Sequence, residues 1–321
     1  MKDESRLAAI DQFRGFAILL MVLADYLSPI QRVPSSLKHA ADIGLTPSDV
    51  VAPLFITAIG LTYDLSFRRR LARSGRWATY EHFIGRNLAL IGLGCLLTLG
   101  GAFSGLYESD INWGLLQAIG AAGLLALPVM RLSPAWRAAL GLGLLAAYQM
   151  LLDRFWLPAV LAAPHNGPWG ALSWAAMLIL ATALADLYHA PVQARRAFAW
   201  AGLAALGVGL LAALIVPISK HRASASYALV CLGLSAIIFW GFHLLAGRGE
   251  RGLAVLTAWG RNPLLLYLLH GVIIGLFALP PIPAWYVEAP GWLIPLQAAA
   301  LLFVLSATGV FLERRRWYWK L

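Results

Sequence analysis

Asp25, His39 and Asp49 are of the types that acid–base chemistry needs, and they fall close together in the chain. A histidine beside a carboxylate suits general-base or nucleophilic work, because the carboxylate fixes the ring and stabilises its cation. His39 lies in a polar stretch, and Asp49 stands at the head of an apolar run that begins at Val50. Thr46-Pro47-Ser48-Asp49 carries helix-start signals. Thr46 can cap, Pro47 suits the first helical position, and Asp49 favours the helix dipole. Capping alone would account for Asp49. Asp25 closes an apolar run, where a carboxylate needs water or a partner. The loop joining the two runs carries His39 and is short enough to fold back over both ends. The three groups can therefore meet, with His39 and the Asp49 carboxylate at the mouth of the second run as the pair the sequence is organised around. Metal ligation is the rival reading, but two aspartates and one histidine without tight spacing form a weak metal signal, and no metal is expected.

The elements that must position these groups are apolar. Of 321 residues, 60% are hydrophobic and 12% charged, the latter about half the share of a soluble domain. Mean hydropathy is +0.72. Runs of bilayer-spanning length recur along the chain. The expected fold is all-α: a polytopic membrane bundle of about ten transmembrane helices, at 8–28, 49–67, 83–103, 113–131, 135–152, 170–187, 197–217, 226–246, 262–280 and 292–312. They read as one transmembrane domain over 1–321, without an internal repeat. The first run carries Asp11 and Arg14 and no small-residue cleavage site, so it reads as a retained helix rather than a signal peptide. Cys95 and Cys231 fall inside runs, which argues against a disulfide.

The net charge of +10 does not point to nucleic acid, because the basic residues sit between apolar runs. With the N-terminus inside, every lysine and arginine except Arg32, Lys38, Arg154, Lys220 and Arg222 falls on the cytoplasmic side. That bias sets orientation, so both termini are expected in the cytoplasm and His39 outside. Trp113, Trp169, Trp285, Trp292, Trp317 and Trp319 lie near span ends, as an aromatic belt would have them.

Several other polar residues read as scaffold. Asp11 and Arg14, spaced i,i+3, share a helix face. Pairing there offsets a cost of roughly 2.5–3.5 kcal/mol for a charge near mid-membrane. His82 and His189 fall between runs and are expected to be solvated. His243 and His270 fall within runs and are expected to hydrogen-bond a neighbouring helix. Asp64, Gln117, Gln149 and Asn262 read as helix–helix glue or as the lining of a polar cavity. The basic stretch Ser219-Lys220-His221-Arg222 falls on the expected outer side, where it suits a functional anion or a lipid headgroup equally.

The order of these residues resembles a known family. LAAIDQFRGFAILLMVLADY, with D-x-x-R-G at Asp11, Arg14 and Gly15, is similar to the first core helix of membrane acyltransferases. KHAADIGLTPSDVVAPLFITAIG resembles the H-A-x-x-x-G-x-T-x-x-D-x-x-x-P-x-F segment of the heparan-α-glucosaminide N-acetyltransferase family and its bacterial relatives. INWGLLQAIG resembles that family's glutamine segment, with Gln117. VPISKHRASASYAL resembles its lysine–serine loop, with Pro217, Lys220, Ser226 and Tyr227. WGRNPLLLYLLH resembles its asparagine–tyrosine segment, with Asn262 and Tyr267. The similarity covers nearly the whole chain.

The resemblance implies transfer of an acetyl group from cytoplasmic acetyl-CoA to an amine or hydroxyl of a sugar or glycan on the far side of the membrane. It implies that His39 is the catalytic histidine, as general base or transient acyl carrier. The family commonly has asparagine, as the histidine's active-site neighbour, where this chain has Asp25, so the resemblance makes Asp25 the expected partner of His39 and Asp49 a supporting group; an aspartate would strengthen the histidine as a base, where asparagine would only orient it. Ala118 and Ser219 stand where the family usually has arginine and asparagine. Contact with acetyl-CoA is expected from Arg14, Arg86, Gln117, Lys220, Arg222, Ser226 and Asn262, since arginine binds phosphate through paired contacts. The expected setting is a bacterial inner membrane, with membrane lipids as further partners and a homodimer left open. Two other readings stay open: a transporter or flippase for a glycolipid or small anion, and a non-catalytic subunit of an envelope-polysaccharide complex. The first lacks the inverted repeat and paired broken helices common in transporters.

Overall fold

The computed structural model describes residues 2–103, 113–191, 194–246 and 253–319. Of the basic residues used above to set orientation, Arg248, Arg251 and Lys320 lie outside the described residues. Among the described residues there is no strand. The helices are α1 (Lys2–Leu27), α2 (Pro47–Phe103), α3 (Leu115–Ala126), α4 (Pro134–Leu151), α5 (Leu157–Ala162), α6 (Gly167–His189), α7 (Arg196–Ala212), α8 (Ala225–Ala246), α9 (Ala254–Arg261), α10 (Pro263–Ala278) and α11 (Leu293–Arg315).

Each of the ten expected runs falls on a helix. By length and composition five helical stretches can cross a membrane: α2, α4 continued through α5, α6, α8 and α11. The number is six if α9 and α10, bent by 92° at Asn262, form one broken span. The runs 49–67 and 83–103 fall on two helices joined end to end in α2. They meet at a kink at Gly75, where φ is 77° and ψ 178°, a non-helical conformation that glycine adopts without Cβ strain. The intervening Arg68, Arg69, Arg70, Arg73 and Arg76 looked like loop because they are charged, yet arginine is a good helix former and no proline interrupts them.

The chain forms two compact units. The first comprises Met1–Ala40, Thr46–Phe55 and Ile238–Lys320; the second comprises Ala41–Leu45 and Ile56–Ile237. In the first, α1 lies against α9 with backbones touching. A Cβ on Gly15 would meet the Leu256 carbonyl oxygen at 1.9 Å, and one on Gly260 would meet the Asp11 oxygen at 1.8 Å. Arg14 stands 3.3 Å from Asp11 and donates to the Gly260 carbonyl at 3.1 Å. Arg261 reaches Asp11 at 3.3 Å and also pairs with Glu313 of α11. The D-x-x-R-G and W-G-R-N segments are thus two halves of one helix contact. At the other end of α1, the Tyr26 hydroxyl donates to Gln297 Oε1 at 2.9 Å, and the Tyr286 hydroxyl donates to the Tyr26 carbonyl at 3.0 Å.

In the second unit α6 is buried along most of its length and packs against α3, α4 and α7. Arg137, fully buried on α4, pairs with Asp64 of α2 at 3.4 Å and with Asp186 of α6, while Arg68 reaches Asp64 at 2.8 Å. Taking charges out of water is costly unless they are paired, so this group ties three helices at one level. His189, expected in solvent, is half-buried, with Nε2 2.8 Å from the Leu61 carbonyl.

Candidate functional site

His39 belongs to the loop between α1 and α2, and that loop is folded onto the start of α2. The Ser48 hydroxyl donates to the Leu37 carbonyl at 2.7 Å. Asp49 is the third residue of α2 and accepts from the residue that caps it: the Thr46 amide lies 3.0 Å and the Thr46 hydroxyl 2.9 Å from Oδ2. The Asp49 amide in turn donates to the Thr46 carbonyl at 3.1 Å. This is one half of a capping box: the Asp49 carboxylate satisfies the Thr46 amide, while the Thr46 hydroxyl donates to that carboxylate and the Asp49 amide closes a turn on the Thr46 backbone. The Ala40 amide adds a contact to Oδ2 at 3.2 Å. The remaining oxygen, Oδ1, lies 2.9 Å from His39 Nδ1.

These contacts decide what the imidazole offers. The Thr46 amide, the Thr46 hydroxyl and the Ala40 amide all donate to Asp49, which matches an ionised carboxylate. Nδ1 must then carry its hydrogen, and in the neutral ring Nε2 keeps the lone pair, on the side away from Asp49. The Asp49 side chain is 0% exposed and that of His39 30%. A fixed carboxylate behind a half-open imidazole is the arrangement that serves a general base or nucleophile.

Asp25, expected as the partner of His39, is placed instead against α10, with Oδ2 3.0 Å from His270 Nε2. Asp49, expected in support, takes the place beside His39, because the helix start that it caps also draws in the loop carrying the histidine. The opposite ring nitrogen of His270, Nδ1, faces the Tyr267 carbonyl. A carbonyl only accepts, so Nδ1 is placed to donate to it and Nε2 is the nitrogen that faces Asp25. Here the imidazole is the buried member, 5% exposed against 44% for Asp25. Its sequence signal was position: an ionisable residue inside an apolar run needs a partner.

The candidates for acetyl-CoA contact divide between the units. In the first, Arg14 is engaged as described, and buried Asn262 bonds the backbone of Trp317 and Trp319 at 3.0 Å each. In the second, Gln117 is buried on α3 and accepts from the Gly114 amide at 3.1 Å. Arg86 is half-buried on α2. The loop from Pro217 to Ser226 is held through its own carbonyls: Asn166 donates to Lys220 at 2.8 Å, Tyr148 to Arg222 at 2.7 Å, and Ser173 to Ala223 at 2.7 Å. Buried Ser226 donates to the Pro217 carbonyl at 3.1 Å.

Arg222, expected to be open to an anionic ligand, is met by a carboxylate of the protein. Its Nε lies 3.0 and 3.1 Å from the two oxygens of Asp42, and its terminal nitrogen also contacts Asp42. The Ser219 hydroxyl donates to Asp42 at 2.8 Å. This hydrogen bond from Arg222 holds the Asp42 carboxyl below its ordinary range. Sequence reasoning missed Asp42 because nothing in its spacing points to a partner 180 residues away.

A family model described as heparan-alpha-glucosaminide N-acetyltransferase, catalytic, matches residues 6–246. No curated protein matches the chain.

Proposed function

The chain belongs to the heparan-alpha-glucosaminide N-acetyltransferase catalytic family, and from that membership we propose that it is a membrane acetyltransferase acting from acetyl-CoA through His39. The observation that carries the reading is the bond from His39 Nδ1 to the buried, capped Asp49. In the direct route, the acceptor amine or hydroxyl attacks the thioester carbonyl while Nε2 takes its proton. The C–S bond then breaks and the proton passes to the departing CoA sulfur. In the two-step route, Nε2 itself attacks the thioester carbonyl, the C–S bond breaks and CoA leaves as the thiolate; the acceptor then displaces the acetyl group, its proton passing to the vacated Nε2 and on to the thiolate. Asp49 orients the ring and balances its charge in both.

The acceptor is proposed to be a sugar or glycan amine or hydroxyl on the outer side of a bacterial inner membrane, with both termini in the cytoplasm. The charge bias of the loops supports that orientation. Acetyl-CoA contact by Arg14, Arg86, Gln117, Lys220, Arg222, Ser226 and Asn262 remains part of the reading, with Arg222 reaching the ligand only in concert with Asp42. The catalytic domain is proposed to extend past residue 246 over the whole chain. The packing of Gly260 and Arg261 on Asp11, Arg14 and Gly15 supports this.

The test is CoA release and product formation by purified protein in detergent, with labelled acetyl-CoA and glucosamine as trial acceptor. Both should vanish in His39→Ala. Release that survives the substitution would move the chemistry elsewhere. Omitting the acceptor separates the routes, since an acetylated histidine can be trapped only in the two-step one.

A further inference from the structure

α11 ends in Arg314-Arg315 and is followed by Arg316-Trp317-Tyr318-Trp319. The three arginines, Trp317 and Trp319 are exposed. This segment is built into the first unit. Arg316 takes the left-handed conformation, φ 57°, and turns the chain back, so that the Trp317 amide donates to the Leu312 carbonyl at 2.9 Å. Asn262, at the break between α9 and α10, then grips it twice: Nδ2 donates to the Trp317 carbonyl, and Oδ1 accepts from the Trp319 amide, each at 3.0 Å. Held this way, the segment walls a groove of about 550 Å³. Leu265 and Leu312 line it with apolar surface, and Arg316, Trp317 and Trp319 give it a basic aromatic rim.

The charge here is unbalanced. Glu313, the neighbouring carboxylate, pairs with Arg261. Among the described residues no ion pair involves Arg314, Arg315 or Arg316. Arg315 lies over the Phe311 ring at 5.6 Å. A guanidinium matches phosphate oxygens through paired contacts, tryptophan settles at the membrane–water boundary, and a basic cluster at the end of a membrane helix attracts anionic lipid. Free phosphate would use the arginines but leave Leu265, Leu312 and the indoles without a role. We propose that this groove binds an anionic phospholipid, its phosphate on Arg316, with the neighbouring Arg314 and Arg315 adding to the attraction, and its acyl chains along Leu265 and Leu312. The proposal does not depend on acyl transfer, so either can fail without the other.

The experiment uses the full chain in neutral detergent, supplied in parallel with phosphatidylglycerol, phosphatidylcholine or inorganic phosphate. Lipid retained is read by native mass spectrometry, and stabilisation by thermal unfolding. Phosphatidylglycerol should be retained and stabilising well above the other two. Its retention should weaken roughly fivefold for each arginine removed in the combined Arg314→Gln, Arg315→Gln, Arg316→Gln protein. Asn262→Ala, which frees the segment with its arginines intact, should also lose the preference. If the triple substitution prevents folding, Arg316→Gln is read the same way. Equal retention of the two lipids, phosphate alone matching phosphatidylglycerol, or an unchanged preference in the arginine or Asn262 variants would each overturn the proposal.

Discussion

The first unit contains two histidine–carboxylate pairs that are built in opposite senses. In His39–Asp49 the carboxylate is buried and the imidazole partly open; in Asp25–His270 the imidazole is buried and the carboxylate open. The first pair is local, ten residues apart and assembled by one helix cap. The second joins α1 to α10 across 245 residues. The outward group determines what each can do. His39 presents a nitrogen with a lone pair, suited to taking a proton or an acetyl group. Asp25 presents a carboxylate already bonded to His270 of another helix. The same two residue types therefore suit a base in one place and a link between helices in the other.

The largest expected effect comes from Asp49→Asn. An asparagine NH2 turned toward Nδ1 would force the ring proton onto Nε2 and remove its lone pair. Acetyl transfer should fall by about 10²–10⁴-fold, the usual weight of a positioned base, with CoA release as the readout. The cap tolerates asparagine, so the thermal midpoint should move little. Near-normal turnover in Asp49→Asn would erase the distinction between the pairs.

Gly15→Ala addresses the second pair through its helix. The added methyl would sit 1.9 Å from a backbone oxygen of α9, and such overpacking costs roughly 1–3 kcal/mol. Thermal unfolding should register that loss. His39–Asp49 is held by its own cap, so activity measured well below the transition should be largely retained. A loss of activity as deep as that of Asp49→Asn would mean that the local pair depends on α1 packing after all.

What was legible in the sequence follows the same division between local and distant. The Thr46–Asp49 cap could be read because its members lie within one helical turn, and the helices because apolar runs announce them. The exchange of partners could not be read. Asp25 and His270 each signal a need for a partner, but no periodicity links positions 245 residues apart. Asp42 and Arg222 are hidden for the same reason. The break between the runs 49–67 and 83–103 was legible, but its width was not: it is confined to Gly75, because arginine's helix propensity carries both helices up to the kink.

Asp25→Asn should have a smaller effect, roughly tenfold or less, about the worth of one hydrogen bond. Asparagine can still hydrogen-bond Nε2 of His270, so the link between helices survives and only the carboxylate charge is lost. The comparison sharpens if its turnover falls modestly while Asp49→Asn is nearly inactive in the same assay. Equal losses would give Asp25 a part in the chemistry itself.

The smallest effect belongs to Asp42–Arg222, a carboxylate held by arginine with His221 only a minor influence on it, which gives the baseline for what a bonded imidazole adds. Its carboxyl is held low chiefly by the hydrogen bond from Arg222. A lowered folded value means that the stabilisation is complete above the unfolded value, about 3.9, and fades as pH falls through the folded one. Asp42→Asn should therefore be less stable than the parent at neutral pH, by at most about 1 kcal/mol for a pair this open to solvent. The difference in thermal midpoint should be constant from pH 7 down to about pH 5 and shrink below about pH 4, as the parent protonates. A difference that instead changes between pH 6 and 7, where histidines titrate, would show that Asp42 acts together with an imidazole rather than with Arg222 alone.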